Sequence, residues 1–201
     1  MVSYGILYAS GLCGGGVLVG ALAGWPWGTP FYLLAAFCLY FFRDPERAIP
    51  PGPVAVSPAD GKVVAVRPEA GTTRISIFLN IFDVHVNRSP VGGEIVEVRY
   101  QRGKFLVASR EQASAQNEQN TVTVRDGEST VVFSQIAGLI ARRIVFSKKL
   151  GDRIQTGERV GMIMFGSRVD VHFGPEWAIT VKAGERVKAG TSILARRHER
   201  A

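Results

Sequence analysis

The sequence predicts a mainly β protein that carries an apolar helical hairpin ahead of its β domain. Three observations lead there. Met1 to Phe42 contain no Asp, Glu, Lys, Arg or His, so every formal charge lies at Arg43 or beyond. After a Pro-rich stretch, the chain becomes a succession of short β-branched runs punctuated by Gly and Asp-Gly. Within that part the pattern "GDRIQTG", Gly151–Gly157, returns 33 residues later as "GERVKAG", Gly184–Gly190.

The uncharged segment opens with Tyr4–Ala23, "YGILYASGLCGGGVLVGALA", which is long enough to cross a bilayer core as a helix. "GWPWGTP", Gly24–Pro30, reads as a turn, and Trp25 and Trp27 suit a membrane–water interface. "FYLLAAFCLYFF", Phe31–Phe42, is only 12 residues and spans only by recruiting part of that turn. The expectation is a hairpin that enters and returns, with re-entrant or surface insertion as the alternative. A buried core hairpin fits worse, because an ordinary soluble surface is not charge-free over 42 residues. No positive region precedes the apolar run, so it does not read as a secretory signal. Arg43 and Arg47 follow it, which points to a cytoplasmic exit. Cys13 and Cys38 both lie in this segment and read as small apolar residues, with neither a disulfide framework nor a zinc spacing.

"RDPERAIPPGP", Arg43–Pro53, is the natural boundary, giving an anchor at 1–42, a linker at 43–53 and a β domain at 54–201. In the β domain "KVVAV", "RISIFLNI", "EIVEVRY", "NTVTVRD", "STVVFSQIA" and "RRIVFS" are runs of strand length. Asp126-Gly127 between two of them signals a hairpin. Arg110–Asn120, "REQASAQNEQN", is polar and aperiodic: a loop or a short exposed helix that acts as a lid. A second, weaker echo joins Asp60–Val66, "DGKVVAV", to Gly92–Val98, "GGEIVEV". Both echoes place an apolar residue beside turn glycines. That pattern resembles the barrel-sandwich hybrid folds, in which two similar β units intertwine with pseudo-twofold character.

The chain has 201 residues and a net charge of +7. That length holds one domain with a real core plus an appendage. The basic body suits anionic lipid, at about 1 kcal/mol per well-placed basic residue. Nucleic acid is a poorer match, since no basic motif is interleaved with aromatics. A biotin- or lipoyl-type carrier is also disfavoured, because no lysine at a strand-turn tip is flanked by methionines or acids.

Candidate chemistry is sparse. "FGSRVDVH", Phe165–His172, interrupts a strand-like run with Gly166-Ser167. Glycine weakens a strand interior, so the pair marks a bulge or bend, or else a backbone that is itself a reactant. His172, five residues after Ser167, falls on the opposite face of a regular strand and reads as structural. His198 lies in the charged tail "ARRHERA" and reads as solvated. His85 sits in "NIFDVHVNRSP", Asn80–Pro90, with Asp83, Asn87, Arg88 and Ser89, in a loop at the end of a β run. Asp60 in "SPADGKV", Ser57–Val63, is either turn chemistry or an acid, and spacing alone pairs it with neither His85 nor Ser167.

Four segments in order, "FFRDPER", "SPADGKV", "FDVHVNRSPV" and "GERVGMIMFGSRVDV", together resemble the short bacterial form of the phosphatidylserine decarboxylase proenzymes. The resemblance implies a pyruvoyl enzyme without a metal that makes its own cofactor. The chain would cut itself at Gly166–Ser167, giving a β chain (1–166), an α chain (167–201) and a pyruvoyl group from Ser167. It implies that an aspartate and a histidine assist the serine, and Asp60 and His85 match their motifs. The longer enterobacterial-type relatives have a second histidine where this chain has Arg88. An arginine stays protonated, so His85 is expected to serve as base in maturation and as proton donor in turnover, with Arg88 binding substrate carboxylate or phosphate. The implied reaction is decarboxylation of phosphatidylserine to phosphatidylethanolamine through a Schiff base, at the cytoplasmic side of a bacterial inner membrane. Oligomeric state stays open, a homo-oligomer included. The rival is a membrane-tethered hybrid-fold adaptor without chemistry, which fits the repeats and the anchor equally well.

Overall fold

The computed structural model describes residues 2–108, 112–139, 143–164 and 166–198. It divides into two units, Met1–Glu46 and Arg47–Ala201.

The first unit is a helical hairpin, α1 (Val2–Ala23) and α2 (Trp25–Phe41). Only Gly24, at φ 99°, separates the helices. The expected turn at Gly24–Pro30 is therefore helical beyond its first residue. Pro26 lies in the first turn of α2, where its missing N–H breaks no intrahelical bond. Small residues let the helices approach: a Cβ on Gly28 would stand 2.5 Å from the Gly16 carbonyl oxygen. Leu7, Val17, Leu18, Leu22 and Leu33 stay exposed, and α1 is long and apolar enough to cross a membrane.

The second unit is built from strands, as expected. They are β1 (Val54–Val56), β2 (Gly61–Glu69), β3 (Thr72–Leu79), β4 (Val86–Arg88), β5 (Gly93–Gln101), β6 (Gln119–Asp126), β7 (Ser129–Ile136), β8 (Arg143–Phe146), β9 (Arg153–Ile154), β10 (Arg159–Met164), β11 (Ser167–Phe173), β12 (Trp177–Ile179), β13 (Arg186–Val187) and β14 (Ile193–Arg197). A short helix, α3 (Ala113–Gln116), precedes β6. An eight-stranded sheet runs β13-β2-β3-β11-β7-β6-β5-β9. Two three-stranded sheets, β1-β14-β12 and β4-β10-β8, accompany it.

This order is a palindrome of two interlocked halves. One half is β1–β3 with β11–β14; the other is β4–β10, inserted between them. Each edge of the large sheet is a two-residue strand from one "G-x-x-x-x-x-G" echo: β13 beside β2 and β9 beside β5. Val63 N–H donates to Glu185 O at 2.8 Å, and Ile95 N–H to Asp152 O at 2.9 Å. Even the irregularities repeat, with register shifts at Val63/Ala65 and at Ile95/Glu97. Gly61 and Gly93 begin β2 and β5 for the same reason: a Cβ at either would stand 2.2 or 2.4 Å from a carbonyl oxygen of the neighbouring strand. Alternate residues of the central strands (Ile75, Ile77, Leu79, Phe133, Val169, Val171, Phe173) form the core between the halves.

Asp126-Gly127 makes the expected hairpin, with Asp126 opposite Ser129 and Gly127 at φ 62°. The lid expectation falls partly on Arg110 and Glu111, outside the described residues. Beyond them α3 is tied down: Ser114 Oγ donates to Asp170 Oδ2 at 2.6 Å, and Asn117 is fully buried.

Candidate active site

Gly166-Ser167 does not bulge a single strand. β10 belongs to the β4-β10-β8 sheet and β11 to the large sheet, so the chain changes sheets at this pair. It is also the return crossing between the halves. The outgoing crossing is the β3–β4 loop, which contains His85. Phe165 lies outside the described residues.

Register brings the two crossings to one end of the sheet. Ser167 pairs with Leu79, the last residue of β3, and Met162 on β10 pairs with Val86. His85 accepts at its carbonyl from Ile163 N–H at 3.4 Å, four residues before Ser167. Ser167 and His85 are both fully buried. Gly166 has φ 59°, in the left-handed region, and a Cβ built on it would meet nothing within 4 Å. Among the described residues the Ser167 Oγ has no hydrogen-bond partner. Leaving a buried hydroxyl unpaired costs about 1–3 kcal/mol, a cost that function can justify.

The His85 loop is braced. Nδ1 of His85 lies 2.9 Å from Asp83 O. Asp83 accepts from Asn80 N–H at 3.0 Å and pairs with Arg186 of β13 at 2.5 Å. A buried amide chain fixes the strand that follows: Asn120 Nδ2 donates to Gln135 Oε1 at 3.2 Å, and Gln135 Nε2 donates to Asn87 Oδ1 at 2.9 Å. Sequence reading missed this chain, because Asn and Gln in β runs carry no spacing signal.

Asp60 opens β2 at the same end of the sheet, two strands from Ser167. Its Oδ1 accepts from Ala189 N–H at 2.8 Å, and its Oδ2 pairs with Arg47 at 2.8 Å. The described hydrogen bonds of Asp60 thus run to Arg47 and the Gly190 turn, not to His85. Arg47 stands in the "FFRDPER" segment, and its link to Asp60 was not legible beforehand. Arg88 is buried, and its Nη1 donates to Gly157 O at 3.0 Å. Its guanidinium thus serves the turn of one half, while its Cδ packs where Gly190 of the other half leaves room.

The opposite face of β11 is different. Arg168 Nε donates to Asp170 Oδ1 and Nη2 to Ser76 Oγ, both at 2.6 Å. Arg74 pairs with Asp170 at 3.2 Å. His172 lies on this face, as its spacing from Ser167 predicts, and burial pushes its imidazole below the ordinary histidine range. His198 is exposed. No cluster of potential metal ligands occurs among the described residues.

A cleft of about 290 Å³ opens beside Gly166. Phe78, Ile81, Val107, Ala108 and Leu139 line it, with Asn80 as its one polar side chain. A larger cleft of about 790 Å³ lies at the β6–β7 turn, among Asp126, Glu128 and Glu176, and does not include Gly166 or Ser167.

Comparison with known proteins decides the family. Residues 34–195 match the family model for phosphatidylserine decarboxylase. The chain is 64% identical over 200 residues to the phosphatidylserine decarboxylase proenzyme of Solibacter usitatus (strain Ellin6076), covering 100% of this chain and 98% of that protein. The chain belongs to the phosphatidylserine decarboxylase family. Proenzymes of the same name from Nitratidesulfovibrio vulgaris and Ralstonia nicotianae are 47% and 45% identical, over 95% and 89% of this chain and 92% and 87% of those proteins. Membership of a decarboxylase family makes the chain an enzyme and removes the ground for a non-catalytic adaptor.

Proposed function

We propose that this chain cuts itself between Gly166 and Ser167 and then decarboxylates phosphatidylserine to phosphatidylethanolamine. The observation that carries the reading is the buried Ser167 hydroxyl, left without a partner among the described residues, next to a glycine in a left-handed conformation.

In the first step Ser167 Oγ bonds to the Gly166 carbonyl carbon, the Gly166–Ser167 C–N bond breaks, and the hydroxyl proton ends on the Ser167 nitrogen. An ester replaces the amide. The Ser167 α-proton is then removed, the Cβ–O bond breaks, and Gly166 leaves as a carboxylate. The unsaturated amine left behind takes up water and releases ammonia, giving the pyruvoyl cap. His85 is the base that serves these proton transfers, and Asp60, held by Arg47, supports the site electrostatically.

The site's residues fit a pyruvoyl group, because Ser167 would be its precursor and the space on the side where a Gly166 Cβ would stand is open. When formed, the pyruvoyl group would supply a ketone for the substrate's primary amine and a sink for the electron pair freed as carbon dioxide leaves. The chain supplies the rest. The apolar cleft beside Gly166 takes the start of an acyl chain, which a free amino acid lacks. His85 returns a proton to the substrate carbon.

Cutting does not release residues 167–201. β11 stays hydrogen-bonded between β3 and β7, β13 on β2, and β14 on β1. The ion pairs of Asp170 with Arg74 and of Arg186 with Asp83 reinforce that hold, as do Arg168 Nη2 donating to Ser76 Oγ and Trp177 Nε1 donating to Ser129 Oγ at 3.0 Å.

The exposed apolar α1 and α2 anchor the enzyme in a bacterial inner membrane, with the β domain on the cytoplasmic side and the net charge of +7 favouring anionic lipid. The test is a denaturing gel with intact-mass analysis. The wild-type chain gives two fragments, the smaller with a blocked N-terminus at position 167. Ser167→Ala gives one folded, uncut, inactive chain. A Ser167→Ala protein that still decarboxylates phosphatidylserine refutes the pyruvoyl reading.

A further inference from the structure

Gly138 follows β7 in the segment "QIAGL" and is buried. A Cβ at this position would stand 2.0 Å from the carbonyl oxygen of Gly166 and 3.1 Å from its carbonyl carbon. Even a close C–H···O contact runs at about 3.3–3.6 Å, so a side chain here forces a displacement of more than about 1 Å. The backbone of Gly138 is not in the left-handed region, so the need for glycine is steric and not conformational. We propose that Gly138 is a positioning residue for self-cleavage: its missing side chain is the seat of the carbonyl oxygen of the bond that Ser167 attacks. The proposal rests on the reading of Gly166–Ser167 as the scissile bond.

Two observations say which partner yields to a side chain. Gly138 is held on a fixed strand end. Ile136 pairs with Arg168 and with Gln119, Ala137 N–H donates to Glu118 O at 2.9 Å, and Asn117 Nδ2 donates to Ala137 O at 2.7 Å. Gly166 has open space where its own Cβ would be. The scissile peptide is therefore what moves. Its oxygen gains negative charge as Ser167 Oγ bonds to the carbonyl carbon, and its direction sets the angle of attack. A displacement of about 1 Å at a reacting group can cost about 10²-fold in rate.

The experiment follows self-cleavage of the full-length chain in detergent after synthesis. Gly138→Ala is expected to delay the small fragment about 100-fold. Hydroxylamine, which splits an ester between Gly166 and the Ser167 oxygen, should not release it sooner. Melting of G138A in an S167A background should match S167A alone. A wild-type cleavage half-time in Gly138→Ala overturns the proposal. So does rapid release by hydroxylamine, because the ester would have formed and the delay would lie later. Should Gly138→Ala lose its fold, A108G/G138A decides. It relieves the 3.2 Å contact with the Ala108 methyl and keeps the contact with the Gly166 carbonyl. That variant is expected to fold and to be cut about 100-fold more slowly than the wild type, and cutting at the wild-type rate overturns the proposal. A wild-type chain cut elsewhere than Gly166–Ser167 removes the reading of the site and the proposal with it, whereas normal cutting there by Gly138→Ala removes the proposal alone.

Discussion

The two halves of the β domain share a plan and differ where the chemistry is. Ser57-Pro58-Ala59-Asp60-Gly61 and Ser89-Pro90-Val91-Gly92-Gly93 occupy matching turns. Ser57 Oγ donates to Ala59 O at 2.7 Å, and Ser89 Oγ to Val91 O at 2.6 Å. Gly190 N–H donates to Ser57 O and Gly157 N–H to Ser89 O, both at 2.8 Å. Within this match Asp60 stands where the other half has Gly92. Asp60 takes the N–H of Ala189, while Gly92 lies against Thr156, the residue that corresponds to Ala189. The carboxylate is an addition to a turn that folds without one. The strand ends differ in the same way. β14 ends at Arg197 near the chain terminus, whereas its counterpart β10 runs on into Gly166-Ser167. Symmetry supplies the scaffold, and the catalytic candidates stand where it is broken.

The largest way to break that comparison is at the crossings. His85→Ala is expected to slow the appearance of the small fragment by about 10²–10⁴-fold, the usual worth of a positioned acid–base group. Enzyme matured before assay should also release phosphatidylethanolamine slowly. Normal values for both would take His85 out of the reaction.

The next test makes the halves alike. Asp60→Gly copies Gly92 into the matching turn. Because that turn already folds without a carboxylate in the other half, the protein should remain folded while maturation slows by roughly 10²-fold. Time courses on a denaturing gel check the rate, and circular dichroism checks the fold. Arg47→Ala should have a weaker effect of the same sign, since the Ala189 N–H still holds Asp60. An Arg47→Ala chain slower than Asp60→Gly would mean that the arginine acts on its own account.

The smallest expected effect lies on the far face of β11. Burial lowers the His172 pKa, so the folded state resists its protonation. The unfolded chain then binds more protons, and stability present above the ordinary histidine pKa near 6.5 falls as pH drops through the lower folded value. Thermal melts of Ser167→Ala protein at descending pH should show this loss, and His172→Gln should flatten it. Cleavage at neutral pH should be unchanged in the single His172→Gln variant, which separates this face from the site.

The β character was legible because β-branched runs with period two and Gly-rich turns are local properties, and the echoes at Gly151–Gly157 and Gly184–Gly190 already announced a repeated turn in two similar β units. The uncharged start likewise fixed an apolar helical unit, although the Trp-Pro-Trp stretch proved helical because Pro26 sits in a first turn, where proline is tolerated. Sequence also set Ser167 and His172 on opposite faces, since strand periodicity allows nothing else. Other features required tertiary structure. No spacing shows that Gly166-Ser167 is a change of sheet, because "RVGMIMFGSRVDVHF" is apolar on both sides of it. Pairing partners far apart in sequence decided that His85 meets Ile163, that Arg47 holds Asp60, and that Gly138 lies under the Gly166 carbonyl. Such contacts depend on how the halves interlock, and a glycine that matters for the atom it lacks leaves no chemical signal in its own neighbourhood.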